Sequence, residues 1–193
     1  KGDVAIEQLT RADGSKVVVI SASGVSAGFS GTGTGGTSIN INNARGTFVI
    51  LPDGMAGTLT FTLGVAVSGI GGVGARAQLE VNNTTQDVDI AGPFGAVELE
   101  AGPFIRIDIS DLVISLPGVE IEGDFSFRGE QNGRKVILGN NVRVFVGDNK
   151  GDTDRANDVG LELTEGRAVL LQEGGLEAGY VTGRLQLRGV SGL

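Results

Sequence analysis

Apolar and polar residues alternate at period two along much of the chain. Phe104-Ile105-Arg106-Ile107-Asp108-Ile109 and Val119-Glu120-Ile121-Glu122-Gly123-Asp124-Phe125 are the cleanest runs. A strand sends successive side chains to opposite faces, so this spacing sorts one set into a core and the other into water. No stretch carries the spacing of an amphipathic helix. Turn sequences cut the runs at strand-length intervals: Arg11-Ala12-Asp13-Gly14, Leu51-Pro52-Asp53-Gly54, Leu116-Pro117-Gly118, Glu130-Gln131-Asn132-Gly133 and Glu173-Gly174-Gly175. Connections this short suit antiparallel neighbours and leave no room for helical crossovers. The pattern predicts an all-β fold, mostly antiparallel, as a sandwich or roll of long kinked strands, with a β-solenoid as the alternative.

The kinks are written as small or polar breaks inside long runs. Val17 to Ile20 passes through Ser21-Ala22-Ser23-Gly24 to Val25, and Ser38-Ile39-Asn40-Ile41-Asn42-Asn43 bends into Gly46 to Leu51. Ile105 to Ile109 passes through Ser110-Asp111 into Leu112 to Leu116, and Leu138-Gly139-Asn140-Asn141 leads into Val142 to Val146. Breaks of this kind mark bulges or bends, which let a long strand change direction or cross between layers.

The runs also repeat. Gly2-Asp3-Val4-Ala5-Ile6 answers Gly123-Asp124-Phe125-Ser126-Phe127, and Asp13-Gly14-Ser15-Lys16-Val17-Val18 answers Asn132-Gly133-Arg134-Lys135-Val136-Ile137. Ala44-Arg45-Gly46-Thr47-Phe48-Val49-Ile50-Leu51 answers Thr164-Glu165-Gly166-Arg167-Ala168-Val169-Leu170-Leu171, and Gly54-Met55-Ala56-Gly57 answers Gly175-Leu176-Glu177-Ala178-Gly179. Self-similarity at a fixed period is the mark of units that share one structural plan. The reading gives a module over residues 1–67, an acidic and diverged half-repeat over 68–122, and a second copy of the first module over 123–193. Val190-Ser191-Gly192-Leu193 repeats Val67-Ser68-Gly69-Ile70, so the array is expected to continue beyond both ends.

Composition sharpens this. Glycine supplies 34 of 193 residues, well above the usual ~7%, which favours turn-dense β structure over helix. The chain has no Trp and few other aromatics, so its core must be aliphatic. Cysteine and histidine are both absent, which removes thiol nucleophiles, histidine bases, disulfides and ordinary zinc sites. A net charge of −8 opposes binding to a nucleic-acid backbone or an anionic membrane surface. No apolar run is long enough for a membrane-spanning helix. Much of the acid lies in the middle block, from Glu80 to Glu122, where it reads as a solvated face.

Several stretches imitate chemical motifs. Gly69-Ile70-Gly71-Gly72-Val73-Gly74 has the glycine spacing of a dinucleotide-binding turn, but Ala75, Ala77, Leu79 and Val81 continue it as a strand, where such a turn needs a helix. Gly31-Thr32-Gly33-Thr34-Gly35-Gly36 reads as a loop for the same reason. The stretch from Asp148 to Asp158 is the candidate metal site. Asp148, Asp152, Asp154 and Asp158 offer the closely spaced oxygens that calcium needs. A solvated loop fits the stretch as well, since Lys150 and Arg155 interrupt it and the equivalent loop over 30–37 has no acid. Asn82-Asn83-Thr84 and Asn83-Thr84-Thr85 match the glycosylation sequon, and Asp87 with Asp89 or Glu98 with Glu100 reads as an exposed strand face. No group joins a nucleophile, a base and an orienter, so no catalytic role is expected.

Ala101-Gly102-Pro103-Phe104-Ile105-Arg106-Ile107, the step from Leu116-Pro117-Gly118 to Phe125, and the turn Met55-Ala56-Gly57-Thr58-Leu59 resemble the tandem repeat units of very large, Gly-rich, Cys-poor bacterial secreted and surface proteins of the adhesin kind. The resemblance implies an extracellular or cell-surface structural role, as a spacer or as a subunit of a fibre or surface layer. The expected partners are other copies or neighbouring repeats joined through β edges. An adhesin or ligand-binding module, stabilised by calcium, is the alternative.

Overall fold

The computed structural model describes residues 2–11, 14–30, 38–67, 70–116, 118–150 and 154–189. The chain is all-β and antiparallel. Ten strands form one sheet: β1 (Asp3–Thr10), β2 (Lys16–Ser30), β3 (Ser38–Leu51), β4 (Gly54–Val67), β5 (Ile70–Asn82), β8 (Phe104–Leu116), β9 (Val119–Glu130), β10 (Lys135–Asp148), β11 (Val159–Glu173) and β12 (Leu176–Arg188). They lie side by side in chain order, and the sheet does not close on itself. Between β5 and β8 the chain leaves the sheet to make a small hairpin, β6 (Val88–Ile90) and β7 (Val97–Leu99). The only helical element among the described residues is a 3-10 turn, Arg155–Asn157, before β11. Every strand pair is antiparallel, whereas a solenoid of stacked parallel coils needs parallel pairing.

The polar breaks inside the long runs are β-bulges. Register slips between Ala22 and Val25, between Asn42 and Arg45, between Ile109 and Leu112, and between Asn140 and Arg143. At these points Gly24, Asn43, Asp111 and Asn141 take φ values of 64°, 54°, 55° and 51°. Glycine, Asn and Asp reach this left-handed region at least cost, so these residue types stand where each strand must absorb one extra residue. The extra residue bends the strand and restores its alternation. As a result each long strand keeps one face apolar from end to end within the same sheet.

Two of the turns that the sequence pairs have the same geometry. The turn joining β1 to β2 closes with Arg11 N–H donating to the Ser15 carbonyl and Gly14 N–H to the Arg11 carbonyl. The turn joining β9 to β10 closes with Glu130 N–H donating to the Arg134 carbonyl and Gly133 N–H to the Glu130 carbonyl. Gly14 and Gly133 have φ of 83° and 85°, a conformation other residues reach only with strain. Strands β1 to β4 thus match β9 to β12 in order and pairing, and the block between them contributes β5, β8 and the hairpin.

The core lies under the hairpin. Val17 and Val19 of β2, Val49 and Leu51 of β3, Ala56 of β4 and Phe104 of β8 pack against Val88, Ile90, Val97 and Leu99. Each buried valine or leucine contributes roughly 1.5–3 kcal/mol, so this two-layer patch is the main apolar store of the fold. Asn82 ties the hairpin down. Its amide donates to the Gln86 and Glu100 carbonyls at 2.9 and 2.8 Å, and its oxygen accepts from the Thr84 N–H and hydroxyl. Ser21 and Thr47 share a buried hydrogen bond of 2.9 Å at the patch margin, and Thr47 donates on to the Gly95 carbonyl.

Candidate functional site

Two surfaces and one buried cluster stand out. The first is the face opposite the hairpin. Since Val17 and Val19 point into the core, Val18 and Ile20 point away from it. The antiparallel register then carries that outward face across the sheet through Ile6, Ile50, Leu59, Leu79, Ile107, Phe127, Ile137, Leu170 and Val181. Ile105, Phe127, Leu170, Leu185 and Leu187 are exposed on it. No described element packs over this face, because apart from the hairpin each strand makes substantial contact only with its sheet neighbours. The total accessible surface is 11417 Å², against roughly 8,600 Å² for a compact monomer of this mass. The face thus offers apolar side chains to solvent from several strands. Part of it is a shallow hollow lined by Ile105, Ile107, Phe127 and Ile137.

The second surface is the pair of sheet edges. The outer side of β1 and the outer side of β12 carry no strand among the described residues. Both present exposed apolar side chains, Val4 and Ile6 on β1 and Val181, Leu185 and Leu187 on β12. A long apolar edge strand is a template for further pairing.

The buried cluster sits on the hairpin side of the sheet, at the far ends of β9 to β12. Glu162 of β11 is 1% exposed and Arg143 of β10 is 8% exposed. Arg143 Nε donates to Glu162 at 2.6 Å, and its Nη1 reaches Glu120. Gln186 donates to Glu162 at 2.6 Å, and Arg188 pairs with the same carboxylate. Arg155 pairs with Glu122. Phe145, fully buried, lies beneath, with the Arg143 guanidinium 5.7 Å from its ring centre. Burial by itself would raise the Glu162 pKa, but the hydrogen bonds from Arg143, Gln186 and Arg188 outweigh it and hold the group down to about 2. The same acids keep the Arg143 pKa raised against its own desolvation. Arg143 Nη2 is buried without a hydrogen-bond partner, but the remaining charges are paired, and the cluster works as a clasp between strands.

Asp148 accepts from the Lys150 N–H and pairs with the Lys150 ammonium. Asp154 accepts from the Ala156 N–H and so caps the 3-10 turn. Asp158 is buried with its carboxylate 3.8 Å from Arg143 Nη2, while Asp152 lies outside the described residues. Among the described residues no three acidic side chains gather as metal ligands. The glycine run at Gly69 to Gly74 enters β5, as its alternation predicts, with Gly69 itself outside the described residues, and Gly31 to Gly36 lies wholly outside them. Asn82 is buried and Asn83 accepts from the Met55 N–H, so both sequon residues are engaged. Asp89 and Glu98 face each other across the hairpin on its exposed side.

The acidic middle block is more tightly paired than its sequence implies. Arg106 bridges Glu80 and Asp108 at 2.9 Å each, Asp111 pairs with Arg76, and Glu100 pairs with Arg128, whose guanidinium lies 4.5 Å over the Phe104 ring. Arg128, Arg143 and Arg155 come from the following block, so part of the counter-charge reaches the acids across the fold and not along the chain. No described helix is long and apolar enough to cross a membrane. No family model matches the chain, and comparisons with curated proteins and with solved structures give no match.

Proposed function

We propose that this chain is a structural segment of an extracellular or cell-surface array, in which copies or neighbouring repeats join through their sheet edges. The observation that carries it is the order of the sheet: ten strands in chain sequence, open at both sides, with β1 to β4 at one end and their sequence counterparts β9 to β12 at the other. Such a sheet is quasi-one-dimensional, and each unit can be followed by another without any change of plan. A fibre or layer needs an axial contact and a lateral one. The β1 and β12 edges supply the first through main-chain pairing, and the uncovered apolar face supplies the second.

The test is sedimentation velocity with negative-stain electron microscopy over a concentration series. Wild-type chain is expected to form particles elongated along one axis. Val4→Lys with Ile6→Lys on β1, or Leu185→Lys with Leu187→Lys on β12, places charge on an open edge and is expected to leave short particles. Ile105→Lys with Phe127→Lys charges the middle of the apolar face, and is expected to remove side-to-side association while axial growth persists. Monomers at every concentration, in wild type as in the variants, would overturn the proposal.

A further inference from the structure

The two copies of the repeat differ in one conspicuous way: the first is capped and the second is bare. In the first copy Val17, Val19, Val49, Leu51 and Ala56 lie beneath the hairpin, none more than 7% exposed. Tyr180, across from Val169, takes the place of Ala56, which lies across from Val49, and the other matching positions of the second copy are Val136, Leu138, Val169 and Leu171. They are apolar throughout and sit in the same register, with Val136 paired to Leu171 and Leu138 to Val169, as Val17 and Val19 flank Val49 and Leu51 through β3. Yet Leu138 is 43% exposed and Tyr180 is 59% exposed. The patch has kept the residues of a core without the layer that makes it one.

The first copy shows what that layer is. Its cap hangs from the connection between β5 and β8, and β5 pairs directly with β4, the last strand of the module. In the second copy the outer side of β12, the counterpart of β4, carries no strand among the described residues. An open edge and a bare apolar patch therefore stand together where β5 and its hairpin stand in the first copy. We propose that this corner of the molecule docks a strand–hairpin–strand unit of the β5-to-β8 kind: its first strand pairs with β12, and its hairpin lays alternate aliphatic side chains over Val136, Leu138, Val169 and Leu171.

The faces of the hairpin suit the patch. The capping hairpin presents Val88, Ile90, Val97 and Leu99 inward and its acids outward. Glu130, near the bare patch, already pairs with Arg128 and Arg134, while Arg167, exposed on the same face of β11 as Val169, must turn to solvent at the margin of the cap. One departure from the first copy has a local consequence. Thr47, which fastens the hairpin tip through Gly95, is answered by Arg167, so the docked hairpin must be held by its apolar face and its strand.

This inference rests on the array reading, and one experiment separates the two. The full chain is extended after Leu193 by a second copy of residues 71–122, which continues the Val-Ser-Gly junction seen at Val67. Tyr180 is the chain's one tyrosine and there is no tryptophan, so its fluorescence reports on the patch directly. Acrylamide quenching of Tyr180 is expected to fall severalfold, and amide exchange across β10 to β12 to slow. Placing Val88→Asp and Val97→Asp in the appended copy alone is expected to restore the quenching while β12 amides stay protected. Slowed exchange at β12 with Tyr180 still open in both versions would overturn the hairpin proposal and leave edge pairing intact. No change in either signal would overturn both. Quenching that falls with concentration in the unextended chain would overturn this occupant in favour of a second copy covering the face.

Discussion

Glu162 shows how a single residue can tie three strands. Its carboxylate is buried, accepts from β10 and β12, and is held ionised to about pH 2. A carboxyl depressed from about 4.5 to about 2 stabilises the fold by about 3 kcal/mol. The sign follows from linkage: the contribution is complete above pH 4.5 and is lost as pH falls through the window toward 2. Glu162→Gln is therefore expected to lower stability near pH 7 and to flatten the acid-side slope of a urea-melt series taken from pH 6 to pH 2. An unchanged slope would mean that another carboxylate carries it. This clasp was not legible in the sequence. Arg143, Glu162, Gln186 and Arg188 are far apart along the chain, and only the strand register brings them to one point. The Asp148 to Asp158 loop drew attention because its acids are close in sequence, yet Asp148 and Asp154 serve local backbone and Asp158 faces Arg143.

At the scale of elements, the long strands and their turns were readable because period-two alternation and Asp-Gly or Asn-Gly turns are local signals. The bulges at Asn43, Asp111 and Asn141 were readable as polar breaks, and the one at Glu165, with φ of 52°, was not, since glutamate carries no preference for that conformation. The capping hairpin was missed as a cap. Its strands Val-Asp-Ile and Val-Glu-Leu are too short to show a period, and its role depends on residues of β2 to β4. What holds it is Asn82. Removing that side chain leaves the Glu100 carbonyl and the Thr84 N–H without their partner, and unmade buried hydrogen bonds of this kind cost about 1–3 kcal/mol each. Asn82→Ala is expected to free the hairpin before the sheet, so that amides of β6 and β7 exchange much faster while those of β3 and β4 change little. Equal acceleration in the hairpin and the sheet would show that the two open as one unit.

For the whole molecule, order of unfolding follows from where the apolar burial is. In a meander whose strands touch only their neighbours, stability is close to a sum of each strand and its two interfaces, and the outermost strands have one interface instead of two. β1 and β12 are thus the weakest places on pairing alone. The cap breaks the symmetry. β2 to β4 and β8 are closed by a second apolar layer, whereas β10 to β12 have only the ionic clasp. Buried ion pairs barely recover their desolvation cost, while an apolar layer contributes outright. Hydrogen exchange in rising urea is expected to reach β12 and β11 first, then β10 and β9, with β3 and β4 last. The reverse order, with β2 to β4 opening ahead of β10 to β12, would show that the clasp around Glu162 outweighs the hairpin. Glu162→Gln should then restore the expected sequence, because it removes the clasp and leaves the cap untouched.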